Sequence, residues 1–175
     1  PYEVAPQNMD QTLWIQDFLM MASKSFDKDQ IKSIKAEFEN CLERIWSGEV
    51  ENDSLNKLIL MANMTWRDVV ILRSYVRYLR QTKMPFSLPY MEQALTDYPN
   101  IARLLVELFH AQFDPSNQIK GKALIPAALA AIEQSLTAVK AIDQDRVLRA
   151  ITALVDATLR TNFYQTGADG QPKAY

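Results

Sequence analysis

Apolar residues recur at helical spacing along almost the whole chain, and the breaks between the runs carry recognisable start and stop signals. The pattern predicts a first helix at about 10–22, with Trp14, Phe18 and Met21 on one stripe and Ile15, Leu19 and Ala22 beside it. A second helix, at about 28–47, places Ile31, Ile34, Phe38, Cys41, Leu42, Ile45 and Trp46 on its apolar face, so Trp46 is expected to be buried. Asp27 can cap it, Gln30 can complete a capping box, and Phe26 can staple onto Ile31. Gly48 can end it by taking a left-handed conformation cheaply.

A short helix at about 54–62, capped by Asp53 or Ser54, is followed by one from Thr65 to about Gln81. There Asp68 stands at the capping-box position relative to Thr65, and Pro85 forbids continuation. Helices at about 88–97 and 100–112 are punctuated by Pro89, Pro99 and Pro115. Another is expected at about 124–141, with Ile125, Leu129, Ile132, Leu136 and Val139 on its stripe and Pro126 in its first turn, where a missing amide is harmless. The last, at about 144–161, has Asp143 as cap and Ile142 to staple onto Val147.

The expected fold is therefore all-α, about eight or nine helices in an irregular bundle, either one core or two closely packed helical subdomains. The polar stretch 114–123 is the clearest boundary. It divides the chain into an N-terminal tail and first helix (1–25), a helical subdomain (26–115), and a helical hairpin with a linker (116–175). No repeat of roughly 20–50 residues is present. Helix does not alternate with strand, which excludes a doubly wound nucleotide-binding sheet.

Composition narrows the function classes. Among 175 residues there are four glycines, one cysteine and one histidine, and the net charge is −2. One cysteine rules out an intrachain disulfide and fits a reducing, cytoplasmic setting. The most apolar run, Ala123 to Ile132, contains Pro126 and is about half the ~20 residues of a membrane span. The start of the chain lacks the basic-then-apolar order of a signal peptide. The chain begins without Met and stops just past a polar stretch at Gly167, which suggests a piece of a longer protein.

Candidate chemistry is sparse. His110 has no metal-binding partner at helical spacing, and one His with one Cys cannot make a zinc set. Cys41 falls on an apolar face, where a thiol is inert. Gly48, Gly121, Gly167 and Gly170 match neither a dinucleotide fingerprint nor a P-loop. Asp143 and Asp145 resemble a metal-binding pair, but a helix N-terminus explains both. Acids at 49, 51 and 53 lack the glycine and spaced oxygens of a calcium loop.

The one basic feature is the helix at 65–81, where Arg73, Arg77 and Arg80 share a face with Tyr75 and Tyr78 interleaved. Arginine and aromatics together can hold RNA. Just upstream, however, segment 37–53 carries six acids against Arg44 alone. Pairing within the chain or a protein interface explains the arginines without nucleic acid.

Five segments taken in order carry a further signal. They are Trp46-Ser-Gly-Glu-Val-Glu-Asn-Asp, Trp66-Arg-Asp-Val-Val-Ile-Leu-Arg-Ser-Tyr-Val-Arg-Tyr-Leu-Arg-Gln, Pro99-Asn-Ile-Ala-Arg-Leu-Leu-Val-Glu-Leu-Phe with Phe113-Asp-Pro, Asp143-Gln-Asp-Arg-Val-Leu-Arg, and Leu159-Arg-Thr-Asn-Phe-Tyr-Gln. The set resembles the large bacterial NAD-dependent glutamate dehydrogenases, in the helical region between their N-terminal regulatory, ACT-like domains and the catalytic domain. The resemblance covers roughly residues 26–175.

It implies a parent enzyme that oxidatively deaminates L-glutamate to 2-oxoglutarate and ammonium while reducing NAD. It also implies a cytoplasmic homo-oligomer whose partners are the rest of its own chain, with neither nucleic acid nor membrane. The family's catalytic lysine and NAD site match no position here, so no catalytic, cofactor-binding or metal residue is assigned and the piece alone is expected to be inactive. Arg73, Arg77, Arg80, Arg160, Asn162 and Tyr164 are the candidates for an interdomain or intersubunit surface. The competing expectations are a free-standing helical adaptor that binds a protein through the arginine-tyrosine helix, and a helical RNA-binding protein.

Overall fold

The computed structural model describes residues 2–4, 13–15, 28–168 and 170. Among them are seven α-helices: α1 (Lys28–Trp46), α2 (Lys57–Ala62), α3 (Trp66–Gln81), α4 (Leu88–Asp97), α5 (Pro99–Phe113), α6 (Gln118–Leu136) and α7 (Ile142–Ala157). Single 3-10 turns, Ser54–Asn56 and Pro115–Asn117, precede α2 and α6. The count is seven, below the eight or nine expected. One reason is that no helix stands at 13–15. Leu13–Ile15 (β2) instead pairs antiparallel with Tyr2–Val4 (β1), Tyr2 opposite Ile15 and Val4 opposite Leu13. Leu-Trp-Ile suits an extended, half-covered surface as well as a helix, and a short apolar run does not discriminate between them. The remainder of 10–22, the cap at Phe26 and Asp27, and most of both chain ends, whose tethering the sequence predicts to be poor, lie outside the described residues.

The middle of the chain follows its local signals closely. Thr65 and Asp68 form the expected capping box, with Asp68 N–H on Thr65 Oγ1 at 3.1 Å and Thr65 N–H on Asp68 Oδ2 at 2.9 Å. Asp53 caps the first 3-10 turn by accepting from Leu55 N–H at 3.1 Å, and Ser87 accepts from Tyr90 N–H to start α4. Gly48 has φ +77° just past α1, a conformation costly for any residue with a Cβ.

The last two helices differ from expectation at both ends, α6 stopping at Leu136 rather than about 141 and α7 at Ala157 rather than about 161. Helix α6 begins at Gln118, so most of the expected 114–123 loop is helical and Pro126 lies well inside the helix rather than in its first turn. Proline there deprives the Lys122 carbonyl of its amide partner. Packing against α5, the neighbour α6 meets most extensively, offsets that loss. The helix pair approaches closely enough that a Cβ on Gly121 would lie 2.2 Å from the Ala111 carbonyl oxygen, so glycine is required there. Helix α7 begins at Ile142, with Ala141 rather than Asp143 at the cap position. Ile142 is exposed and staples nothing, while Asp143 and Asp145 sit in the first turn where the helix dipole favours them.

One hydrophobic cluster runs from Cys41 through Leu58, Leu72, Leu95 and Leu105 to Ile132, Leu148 and Phe163. It is continuous across residues 114–118, because α6 and α7 both pack on α5. Trp46, expected in this core, is 84% exposed, and Leu42 is also at the surface. Helix α1 lies at the edge of the bundle and, among its described side chains, buries Ile34 and Cys41 and half-covers Phe38 and Ile45 along one stripe. Leu42 and Trp46 each follow a stripe residue by one position, about 100° around the helix, and so miss the core.

Candidate functional site

The arginine-bearing helix α3 divides its charges between two separate places. Toward its C-terminal half, Arg73 turns inward. It is 7% exposed and grips Asp53 with two contacts, Nε to Oδ2 at 2.5 Å and Nη2 to Oδ1 at 2.9 Å. Its Nη2 also donates to Asn56 Oδ1 at 2.9 Å. This bidentate geometry suits a guanidinium, whose fixed fork matches a carboxylate. Arg73 thus locks the 3-10 turn onto α3, and it is withdrawn from the candidate surface. One turn further, Arg77 pairs with Glu51 in the open. The upstream acids therefore meet these arginines inside the chain, as the charge pattern predicts. Arg80 is exposed in the last turn.

At the other end of α3 the structure builds a hydrogen-bonded relay that helical spacing does not reveal. Asp68, fixed by the capping box, receives His110 Nε2 at 2.9 Å, and His110 Nδ1 meets the Tyr164 hydroxyl at 2.5 Å. A carboxylate only accepts, so Nε2 carries the imidazole proton and Nδ1 accepts from the phenol in the neutral ring. Burial pulls the Asp68 carboxyl up, but the bonds from His110 and Thr65 outweigh it and hold the group below its ordinary value. Burial pushes the Tyr164 phenol far up, and the nearby Asp114 and Asp68 charges add to the effect. Beside the relay, Arg67 donates to the Phe163 carbonyl at 2.7 Å and its guanidinium lies 4.6 Å from the Phe163 ring. Phe163 is buried edge-on against Phe109 at 5.4 Å.

His110 and Asp68 also face a cleft of about 710 Å³ between α1, α2 and α5. Its floor is Ile34, Met64 and Val106, and its rim carries Asn100, Arg103 and Glu107. The last two pair with each other at 3.0 Å. A smaller pocket of about 190 Å³ lies between α3 and the segment after α7. Arg160 and Asn162 line it with Tyr75, Phe109 and Phe163, and Tyr75 bonds Thr158 across its edge at 2.8 Å. Of the sequence candidates, Arg160, Asn162 and Tyr164 come together on the N-terminal half of α3, apart from Arg77 and Arg80.

Cys41 is buried, and burial pushes its thiol up, so it is an inert core residue. Among the described residues, no group of three His, Cys, Asp or Glu side chains could hold a metal ion. Nor is any described helix long and apolar enough to cross a membrane. The relay escaped the sequence reading because Asp68 is 42 positions before His110 and Tyr164 is 54 after it. Only the conspicuous Phe-Tyr pair in an otherwise polar tail hints that the segment docks.

Fold and site together define a helical segment whose elements are tied by the buried ion pair of Arg73 with Asp53 and by the hydrogen-bonded relay. Comparison with known proteins identifies the larger enzyme to which such a segment is related. Residues 50–115 match the family model "Glutamate dehydrogenase, helical motif 3", and residues 131–175 match "Bacterial NAD-glutamate dehydrogenase, catalytic domain". The chain is 38% identical to the NAD-specific glutamate dehydrogenases of Pseudomonas aeruginosa, over 182 aligned positions, and Halomonas elongata, over 175. Both alignments take in 100% of this chain and 11% of the relative. It is 43% identical to that of Mycobacterium tuberculosis over 131 residues, which is 74% of this chain and 8% of the relative. No solved structure matches. The chain belongs to the large bacterial NAD-dependent glutamate dehydrogenase family, and it spans about a tenth of the length of the curated relatives it matches.

Proposed function

We propose that this chain is a non-catalytic helical segment of an NAD-dependent glutamate dehydrogenase, connecting regulatory domains on its N-terminal side to the catalytic domain on its C-terminal side. The parent enzyme converts L-glutamate, NAD and water to 2-oxoglutarate, ammonium and NADH. It works in the cytoplasm as a homo-oligomer, and the NAD site lies in the part of the chain after this one. Residues 116–175 serve as the hairpin and linker running into catalysis, with 131–175 already inside the catalytic-domain match.

The observation that carries this reading is a coincidence of two matches with one core. The helical-motif match ends at 115, the catalytic-domain match starts at 131, and the hydrophobic cluster bridges them without a break. A segment that packs as one body on both sides of such a junction can transmit position from one domain to the other. The exposed Arg77, Arg80, Arg160 and Asn162 are its docking candidates. Alignment of the whole chain within much longer relatives supports this role over a free-standing adaptor. Intramolecular pairing of Arg73 and Arg77 removes the main support for an RNA-binding role.

The test is NADH production from glutamate by the full-length protein and by residues 1–175 alone. Activity is expected from the first and none from the second. An inactive full-length protein, or an active isolated segment, refutes the proposal.

A further inference from the structure

After α7 the chain runs without helix from Thr158 to Gln165, yet it is fastened at successive points. Tyr75 holds Thr158, Arg67 holds the Phe163 carbonyl, Phe163 fills a slot beside Phe109, and Tyr164 closes the relay through His110 to Asp68. Arg67 and Asp68 are consecutive residues of the first turn of α3, and the Thr65 capping box fixes that turn. Phe163 is thus held by Arg67 of α3, and the adjacent Tyr164 by His110 of α5, which Asp68, the next residue of α3, holds in turn. Phe163 is 8% exposed, and the side chains of Asp68 and His110 are 19% and 35% exposed. The intervening Arg160 and Asn162 remain exposed, so the fastening falls on selected side chains.

We propose that the first turn of α3 and His110 form a latch that sets where and in what direction the chain leaves the helical body, which makes Arg67, Asp68 and His110 positioning residues for the catalytic domain. The proposal rests on the reading that residues 131–175 lead into that domain. Helix α3 belongs to the helical-motif match and Tyr164 to the catalytic-domain match, so the relay joins the two directly. The other charged groups around His110 are Asp114 just past its own helix end, Glu107 and Arg103 on the cleft rim, and Arg67 beside Tyr164. Arg103 is occupied by Glu107, which leaves Asp68 as the partner that orients the ring. His110 in turn presents an acceptor to Tyr164. Truncating Tyr164 or His110 breaks this relay, while Tyr75 and Arg67 still hold Thr158 and the Phe163 carbonyl on α3.

The experiment uses the full-length protein and two readouts. Tyr164→Phe removes only the hydroxyl, His110→Ala removes the ring, and His110→Gln supplies an amide that can both accept and donate. Displacement on the order of 1 Å at a reacting centre can lower rates by up to roughly 100-fold. Tyr164→Phe and His110→Ala should therefore lower kcat about tenfold with KM changed less than about twofold, and His110→Gln should recover part of the loss. Ile59→Val, a core change elsewhere in the bundle, is the control for mere destabilisation. It should leave kcat unchanged at a similar loss of melting temperature. Backbone hydrogen exchange reads the latch without catalysis, and exchange at 163–166 should rise about tenfold in Tyr164→Phe.

Unchanged exchange overturns the latch. Faster exchange with wild-type kcat overturns its positioning role, as does an equal kcat loss in Ile59→Val. A wild-type protein without glutamate-dependent NADH production, whose Tyr164→Phe variant still shows faster exchange, overturns the dehydrogenase reading and leaves the latch standing as a purely mechanical tie.

Discussion

The buried contact between Arg73 and Asp53 offers the sharpest energetic test of the fold. Their side chains are 8% and 15% exposed, so water screens the pair weakly. Asp53→Asn removes the charge but keeps the size and an oxygen that can still cap Leu55 N–H. A pair of unit charges about 4 Å apart attracts by about 4 kcal/mol at an effective dielectric constant of 20. Breaking a buried pair by changing one partner generally costs about 3–5 kcal/mol, because the other charge is left buried. Asn56 Oδ1 and the new amide oxygen still accept from Arg73, so the loss should lie near the lower end, about 3 kcal/mol.

Arg73→Met should lose a similar amount by stranding Asp53. The double variant, with no charge left to bury, should lose less than the two losses added together, with a coupling of at least about 1 kcal/mol. Urea denaturation of each variant measures this, provided the slope with denaturant stays constant. A loss below about 1 kcal/mol for Asp53→Asn, or strict additivity in the double variant, would show that Arg73 does not depend on Asp53.

Three further outcomes follow from the packing. Gly121→Ala forces a Cβ against the Ala111 carbonyl and should destabilise the chain by about 1–3 kcal/mol, read by denaturation, and a neutral result would mean that α5 and α6 sit further apart. Trp46→Ala should change stability by less than about 0.5 kcal/mol despite the size of the side chain, and a loss above 3 kcal/mol would restore it to the core. Asp68 has a depressed carboxyl in the folded state, so its stabilisation is fully present above its ordinary value of 3.8 and disappears as pH falls through the lower folded value. The stability gap between wild type and Asp68→Asn should therefore narrow in acid, and a gap independent of pH between 6 and about 2 would contradict the assignment.

Local sequence determined much of this protein, because the interactions involved span three or four residues. The capping box of Thr65 and Asp68, Asp53 and Ser87 at their helix starts, Gly48 past α1 and the inward stripe of α6 are all of this kind. The supply of acids at 49–53 and arginines on α3 likewise announced that the two would pair. Segment order and residue identity were enough to reveal the family, since those features survive without coordinates.

Only the tertiary structure decided which partners meet. Periodicity gives an apolar face but not its depth, so it cannot tell that α1 lies at the edge and leaves Trp46 in water. It cannot see that α5 pulls α6 into helix six residues early and through Pro126, because that stabilisation comes from another element. Nor can it join Asp68, His110 and Tyr164. Hydrogen bonds act over about 3 Å in space whatever the distance along the chain, and folding brings these three within that reach.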